Sequence, residues 1–398
     1  MSPDLPFDVI ALIIDIVGEN KDTDLLKELA LVSHSFHEIC SKHLFAIVHL
    51  YSATPLLASS KKGFVKLLKS RPEVVKYIRK LTYNVKYNDN DDHLLSPIPL
   101  YFLPTFSRLD SLEITASGLD WGGLNPSLKS TFLYLMHLPT INHIDLSYIQ
   151  NFQLSSLTQS VNLLRLDIHT LCFSPLVEVA SREREIVVEM MPKIREFDTL
   201  WSSRLTTNLL HAKTRDGRPA FNFMDLRRFS TCINGFEDEQ NIRYLLQKAK
   251  LLEKLELSAE RGQNLMGLLS PNARTLKVLD LSVSLWDGSS IYLGGICEEL
   301  EALAEHNMLE AFKVRVDINS GDSISTEGFI GSIFQKVENL LVKPGWSALR
   351  RVSFKVAILG WNRNAEKLCE ALQSLPDKYL NHLSKLDSVS FNYQAYLP

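Results

Sequence analysis

The sequence has few cysteines, little net charge and no long apolar run. Its five cysteines are scattered, odd in number and without a CxxC pair, which is typical of a reducing compartment. The net charge of -3 provides no general attraction to nucleic acid or anionic lipid. The apolar run from Val9 to Val17 is interrupted by Asp15 and has no basic flank, so we expect neither a signal peptide nor a membrane span. These absences predict an intracellular protein, cytoplasmic or nuclear, without a nucleic-acid or membrane partner.

Catalytic and cofactor motifs are also missing. The sequence has no GxSxG nucleophile elbow, Walker loop, HExxH zinc motif or glycine-rich dinucleotide fingerprint. The acidic stretch at 88–93 lacks the glycine and the glutamate that a calcium loop requires at fixed spacing. We therefore expect a non-catalytic protein without metal or cofactor.

A six-residue frame, apolar-x-x-apolar-x-apolar, recurs along most of the chain. Its last three positions alternate as in a half-buried strand, and 22 to 40 residues separate successive copies, which is room for one strand and one helix. The copies start at Ile78, Leu109, Ile141, Leu163, Ile194, Leu226, Leu252, Leu276, Leu309, Leu349 and Leu386. A repeated strand and helix predict an α/β fold in which about eleven parallel strands stack.

This repeat resembles the leucine-rich repeat. The resemblance implies an α/β solenoid over residues 78–398, with a parallel sheet on the concave face and helices outside. The asparagine or cysteine usual three residues past the last apolar position is missing, because residues such as Ser117 and Ser284 stand there. We therefore expect irregular repeats, with a protruding loop and a break in the sheet near 204–222.

Residues 1–50 contain no copy of the frame and show helical periodicity instead. Pro6 suits the first turn of a helix that ends at Gly18. The three expected apolar stripes are Ile10, Ile13, Ile14 and Val17; Leu25, Leu29 and Val32; and Phe36, Cys40, Leu44 and Ile47. Three helices this short enclose a small core, so the remaining apolar surface would need a partner.

The same residues resemble the F-box. The resemblance rests on Leu5-Pro6-Phe7-Asp8, the aliphatic pair Ile13-Ile14 and the run from Leu29 to Phe36, while His43-Leu44-Phe45 is similar to the ending of fungal F-box proteins. It implies binding to a Skp-family adaptor and, through it, to a cullin-RING ubiquitin ligase. The implied adaptor contacts are Leu5, Pro6, Val9, Ile13, Leu29, Val32, Ser33 and Phe36. The alternative for these eight residues is that they fill the three-helix core.

The predicted organisation is an F-box domain at 1–50, a linker helix region at 51–77 with a helix over 60–71, and the repeat region at 78–398. The predicted function is the substrate-recognition subunit of a Skp-cullin-F-box ubiquitin ligase, in which the repeats bind a target protein. An F-box scaffold acting outside any ligase remains the alternative, since the two differ only in whether a cullin joins.

The position between the last two apolar letters of each frame predicts which residues face away from the core. These residues are Thr82, Glu113, Asp145, Asp167, Asp198, Ser230, Glu256, Asp280, Lys313, Ser353 and Ser390. We expect this face to be acidic in its middle, which is also common on an ordinary solvated sheet, and basic at its C-terminal end. The neighbouring outward positions add Arg315, Arg351 and Lys355. Together with Lys313 they would repel one another unless they receive an acidic or phosphorylated segment of the target.

Overall fold

The chain forms two compact units. The computed structural model describes residues 6–51, 58–85, 106–169, 191–200, 203–214, 217–260, 265–285, 295–304, 306, 308–319, 325–359 and 365–397. The first unit comprises residues 1–192 with 213–220, and the second unit comprises residues 193–212 with 221–398.

The first unit begins with three helices and continues with parallel strands. Its elements are α1 (Phe7–Glu19), α2 (Thr23–Leu29), α3 (His34–Leu44), β1 (Ile47–Tyr51), α4 (Ala58–Ser70), β2 (Lys80–Val85), β3 (Ser111–Asp120), α5 (Pro126–Met136), β4 (His143–Gln150) and β5 (Arg165–His169). Short 3-10 helices lie at Pro72–Tyr77, Trp121–Gly123 and Leu154–Leu157. Strands β1 to β5 pair in parallel in chain order.

Local sequence signals mark where several of these elements begin. Helix α5 starts at Pro126, whose fixed φ suits a first helical position, and the Asn125 side chain accepts a hydrogen bond from the Ser127 backbone N–H at 2.9 Å. The helix over 60–71 is confirmed as α4, which packs Leu68 into the core. Arg71 follows α4 and precedes Pro72, which opens a 3-10 helix.

The second unit repeats the strand and helix pattern. Its elements are β6 (Glu196–Leu200), α6 (Ser203–His211), β7 (Arg228–Ile233), α7 (Phe236–Lys248), β8 (Lys254–Glu260), β9 (Val278–Leu285), α8 (Ile296–Ala304), β10 (Ala311–Ile318), α9 (Ser325–Leu341), β11 (Arg351–Ile358), α10 (Ala365–Gln373), α11 (Leu375–Tyr379) and β12 (Ser390–Tyr396). Short 3-10 helices lie at Ser270–Asn272 and Leu383–Lys385. Strands β6 to β12 again pair in parallel in chain order.

The apolar frames account for both cores. The eleven frames correspond one to one with β2 to β12, and all three apolar positions are buried in the first ten. Leu279 and Leu281 of β9, for example, are 0% and 2% exposed, whereas Asp280 between them is half-buried on the opposite face. The prediction of an α/β fold with parallel strands and helices is confirmed. Each sheet therefore has an inner apolar face and an outer face, which we call the polar face.

Three details of the sequence interpretation are wrong. Ile47 does not continue the stripe of the third helix, which ends at Leu44, because it begins strand β1 and pairs with Lys80 of β2. Ser390 faces outward as predicted but pairs with Arg351, so Asn392, which pairs with Ser353, stands level with the outward residues of the other frames. The expected loop at 204–222 starts as helix α6, and an antiparallel bridge between Lys213 and Pro219 closes the turn that follows it.

Three other predicted features are not tested by the structure. The acidic stretch at 88–93 lies outside the described residues, as does Leu5. Strand β1 spans the predicted domain boundary at residue 50, and the division into 1–50, 51–77 and 78–398 stays a prediction. None of the helices in the described ranges combines the length and apolar character needed to cross a membrane.

Candidate functional site

Helices α1 to α3 enclose a small core. Ile14, Leu26, Ile39 and Cys40 are buried at its centre. Two capped turns set the helix directions: Asp22 accepts from the Leu25 backbone N–H at 3.1 Å, and Ser33 accepts from the Phe36 backbone N–H at 3.3 Å. Asp15 of α1 and His43 of α3 are 2.7 Å apart at the surface, and this contact joins the first helix to the third.

Helix α1 carries two apolar stripes on two different sides. Ile10, Ile14 and Val17 face the core. A second stripe with the same helical spacing of i, i+3, i+4 and i+7 is exposed to between 41% and 60%, and it consists of Val9, Leu12, Ile13 and Ile16. Ile13 therefore belongs to the outer stripe and not to the inward stripe that the sequence suggested. A helix with two apolar stripes, of which only one is buried, has surface for a partner.

The turn between α2 and α3 adds apolar surface to this module. Leu31 is 87% exposed and Val32 is 65% exposed. Backbone hydrogen bonds from Leu31 N to Glu28 O and from Val32 N to Leu29 O, both 3.1 Å, hold the turn in shape. The exposure of these two side chains is therefore a property of an ordered turn.

The predicted adaptor contacts separate into two groups. Pro6, Val9, Ile13, Val32 and Ser33 are exposed. Leu29 and Phe36 pack partly against the three-helix core, so for these two residues the core interpretation accounts for part of the side chain. Ser33 has a structural task as the cap of α3.

Sequence reasoning missed several exposed apolar residues of the same module. Leu12, Ile16 and Leu31 are exposed alongside the predicted contacts, and so is Phe7 at the start of α1. The signal was present, because the stretch from Phe7 to Val17 has two apolar stripes, where an amphipathic surface helix would show one.

The polar face of the second unit contains the predicted basic residues. Lys313 and Arg315 lie on β10, and Arg351 and Lys355 lie on β11. Arg315 pairs in register with Lys355, whereas Lys313 pairs with Ser353. The structure therefore brings the four residues together on two adjacent strands.

Two of these four cations have carboxylate partners. The Lys313 Nζ lies 3.6 Å from Asp280 of the preceding strand, and the Arg315 Nε donates to Asp317 at 2.7 Å. The hydrogen bond to Asp317 raises the pKa of Arg315 above its usual value. The expectation that all four charges repel one another is therefore wrong. Arg351 and Lys355 are exposed, and neither forms an ion pair with a described residue.

The acidic residues of the first unit's polar face are mostly paired. Lys80 lies 2.8 Å from Glu113, and Arg165 lies 2.8 Å from Asp167. Burial favours a raised pKa for Asp167, but hydrogen bonds from His143 and Arg165, with their positive charge, outweigh it and hold the pKa below its usual value. Asp145 has no such basic hydrogen-bond partner among the described residues. Burial raises its pKa, although the 2.8 Å hydrogen bond from Ser147 acts to lower it.

His143 connects three neighbouring strands on this face. It donates from Nε2 to Asp167 at 2.9 Å, and its Nδ1 bonds the Ser111 hydroxyl at 2.9 Å. A hydroxyl, an imidazole and a carboxylate in series can activate a serine. Ser111 is buried, and each group comes from a different strand, so these bonds act as cross-strand ties.

The acidic residues of the second unit's polar face are also compensated. Glu256 lies 2.5 Å from Lys254 and 3.4 Å from Arg228. Burial acts to raise the pKa of Glu256, but the positive charges of Lys254 and Arg228 outweigh it and lower the pKa. Burial raises the pKa of Asp280 despite the charge of Lys313. Most of the predicted acidic stripe is thus paired with basic residues, whereas Arg351 and Lys355 form no ion pair with a described residue.

Comparison with protein-family models and with curated proteins finds no match to the chain. Within the described ranges, no group of three or more histidine, cysteine, aspartate or glutamate side chains is arranged to hold a metal ion. The candidate sites are therefore surfaces: the exposed apolar residues of α1 and of the α2–α3 turn, and the cations of β10 and β11.

Proposed function

We propose that the chain is the substrate-recognition subunit of a Skp-cullin-F-box type ubiquitin ligase. In this proposal α1 to α3 are an F-box that binds a Skp-family adaptor, and the region of parallel strands is a leucine-rich-repeat-like solenoid that binds a target protein. The observation that carries it is the outer stripe of α1, because Val9 and Ile13 fall at motif positions and are exposed. Burying each such side chain against a partner contributes about 1.5–3 kcal/mol before the costs of association.

Adaptor binding is tested with the purified full-length chain and a purified Skp-family adaptor. Replacing Val9 and Ile13 together by Asp, or Val32 by Asp, should abolish binding, because each change places charge in an interface that must be apolar. These side chains are exposed, so the variants should retain the wild-type circular dichroism spectrum and melting temperature.

A matched control is Phe236→Asp, which also removes an exposed apolar side chain, 72% exposed, but in the second unit. It should bind the adaptor as the wild type does. Wild-type protein that shows no adaptor binding would remove the basis of the proposal, and so would wild-type affinity in both α1 and turn variants.

The alternative, an F-box scaffold outside a ligase, differs in a single component. Co-purification of the tagged chain from cells should yield both the adaptor and a cullin if the chain is a ligase subunit. Recovery of the adaptor without any cullin would favour the scaffold.

The target site in this proposal is the polar face of β10 and β11. Arg351 and Lys355 are its centre, because their charges are uncompensated among the described residues. Lys313 and Arg315 lie beside them but are already paired with Asp280 and Asp317. An acidic or phosphorylated segment of a target would complement this charge. Replacing Arg351 and Lys355 by Glu should abolish target capture and leave adaptor binding unchanged.

The probe for this site is an array of peptides in matched sets that carry phosphoserine, glutamate or serine at the central position. The wild-type chain should bind phosphoserine or glutamate members selectively, and the Arg351→Glu, Lys355→Glu variant should bind neither. A variant with Lys250 and Arg274 changed to Glu has the same change in net charge at two exposed positions off strands β10 and β11. Equal binding by these two variants would place the target site elsewhere.

A further inference from the structure

A cavity of about 710 Å³ lies in the first unit between the start of α3 and the segment that follows α4. Its volume is in the range of sites that bind small groups or inserted side chains. Ser41, Val74 and Tyr77 contribute buried side chains to the lining. Ser33 and Arg71 line it with more exposed side chains.

The charges around the cavity leave one cation without a carboxylate. Lys76 lies 3.8 Å from Glu38, so these two residues form a pair. Arg71 donates from Nη1 to the Nε2 of His37 at 3.1 Å, and a histidine nitrogen that accepts a hydrogen bond is uncharged. No carboxylate of the described residues forms an ion pair with Arg71. The other titratable residues that line the cavity are the exposed His34 and Glu73 and the buried Tyr77.

The hydrogen bond to His37 directs the Arg71 guanidinium. One donor nitrogen is occupied, and the remaining N–H groups keep a fixed fork that matches a carboxylate. Hydroxyl groups of Ser33 and Ser41 line the same cavity and can donate to the same anion. Ser70 also lines it, but its hydroxyl donates to the Leu67 carbonyl at 3.1 Å. This donor set fits one carboxylate better than a neutral or cationic group.

The cavity also adjoins the exposed apolar surface of the three-helix module. Ala30, Leu31 and Ser33 line it, and the same turn exposes Leu31 and Val32. A partner that covers this turn therefore reaches the cavity.

We infer that the cavity receives an Asp or Glu side chain of the adaptor, with Arg71 as its principal ligand. This inference rests on the proposed adaptor binding and extends the interface beyond α1 to α3 to the residue that precedes Pro72. The adaptor then has two kinds of contact, an apolar one on α1 and the α2–α3 turn and an ionic one at Arg71. Burial of the ionic contact under the partner makes its loss costly, because a single remaining charge would be left unpaired.

The test measures the dissociation constant of the full-length chain and a purified Skp-family adaptor. Arg71→Ala should weaken binding about tenfold or more, Arg71→Glu should weaken it further, and Arg71→Lys should retain part of the affinity because a lysine keeps the charge but loses the fork. Lys69→Glu is the matched control, since Lys69 is an exposed cation near the end of α4 that does not line the cavity. It should change the dissociation constant less than twofold.

Charge reversal identifies the partner residue. Changing the acidic residues of the adaptor to Lys one at a time should produce one variant that binds Arg71→Glu better than it binds the wild-type chain. Unchanged affinity of Arg71→Ala and Arg71→Glu, with binding still abolished by Val9→Asp and Ile13→Asp, would overturn the cavity inference and leave the proposed adaptor function in place. Absence of adaptor binding by the wild-type chain would overturn both.

Discussion

Two buried glutamates of the second unit should respond differently to the same substitution. Glu299 of α8 is 3% exposed and uses both oxygens, since Oε1 accepts from the Gly267 N–H and Oε2 accepts from the Leu269 N–H at 2.6 Å. Glu338 of α9 is equally buried but accepts both backbone donors on one oxygen, while its Oε2 lies 3.4 Å from the Nδ1 of the exposed His382 side chain. Its Oε1 accepts from the backbone N–H groups of His382 at 2.7 Å and Leu383 at 3.0 Å.

Glutamine has one acceptor oxygen, so it can replace Glu338 and cannot replace Glu299. In Glu338→Gln both backbone donors keep the amide oxygen, and we expect a loss of about 1 kcal/mol because the acceptor is no longer charged. In Glu299→Gln one backbone N–H faces an amide NH₂ group. A buried donor is then left without a partner, and we expect a loss of about 3 kcal/mol.

Urea unfolding at pH 7, followed by circular dichroism at 222 nm, measures the free energies of unfolding of both variants. Hydrogen exchange of peptides covering 265–269 and 380–385 locates the loss, because each glutamate should protect only its own pair of amides. Glu301→Gln is the control on α8, since Glu301 is exposed and pairs with Lys343 at 3.2 Å, and it should change stability by less than about 0.5 kcal/mol. Equal losses in the Glu299 and Glu338 variants would refute the argument from acceptor geometry.

Two further predictions concern the core and the polar face. Leu281→Ala should cost about 2–5 kcal/mol in urea unfolding, because Leu281 is 2% exposed, and Lys277→Ala should cost less than about 0.5 kcal/mol; similar costs would contradict the inward direction of Leu281. For the polar face, melting temperature is measured against pH in Asp145→Asn and Asp167→Asn. Burial raises the pKa of Asp145, so the folded state favours the protonated carboxyl. The contribution of this group to stability is therefore lost as pH rises through that pKa. Asp145→Asn should melt above the wild type at pH 7, and the difference should vanish below about pH 4. The pKa of Asp167 is lowered, so its contribution exists above the unfolded pKa and is lost as pH falls; Asp167→Asn should melt below the wild type at pH 7, and a shift of the same sign in both variants would contradict the assignment.

The apolar frames predicted the strands because side-chain alternation is a local property of extended backbone. Ten frames need no information beyond six consecutive residues, and their inward positions are buried. The last frame was misplaced by two residues, since Ser390 pairs with Arg351. Alternation is the same after a shift of two, and only pairing with β11 decides the register. Strand β1 was missed because residues 1–50 contain no copy of the frame. Its pairing with β2, a tertiary contact, is what makes it a strand.

The candidate sites show the same division between local pattern and tertiary contact. The sequence identified the N-terminal module and most of its apolar residues, but α1 has two apolar stripes, so packing against Leu26 and Ile39 decided which stripe is exposed. The sequence likewise predicted the cations of β10 and β11. Whether a cation is compensated depends on its distance from a carboxylate, and strand pairing places Asp280 beside Lys313 while leaving Arg351 and Lys355 free of ion pairs with the described residues. Charge types are written in the sequence, whereas ion pairs depend on distances that only the folded chain sets.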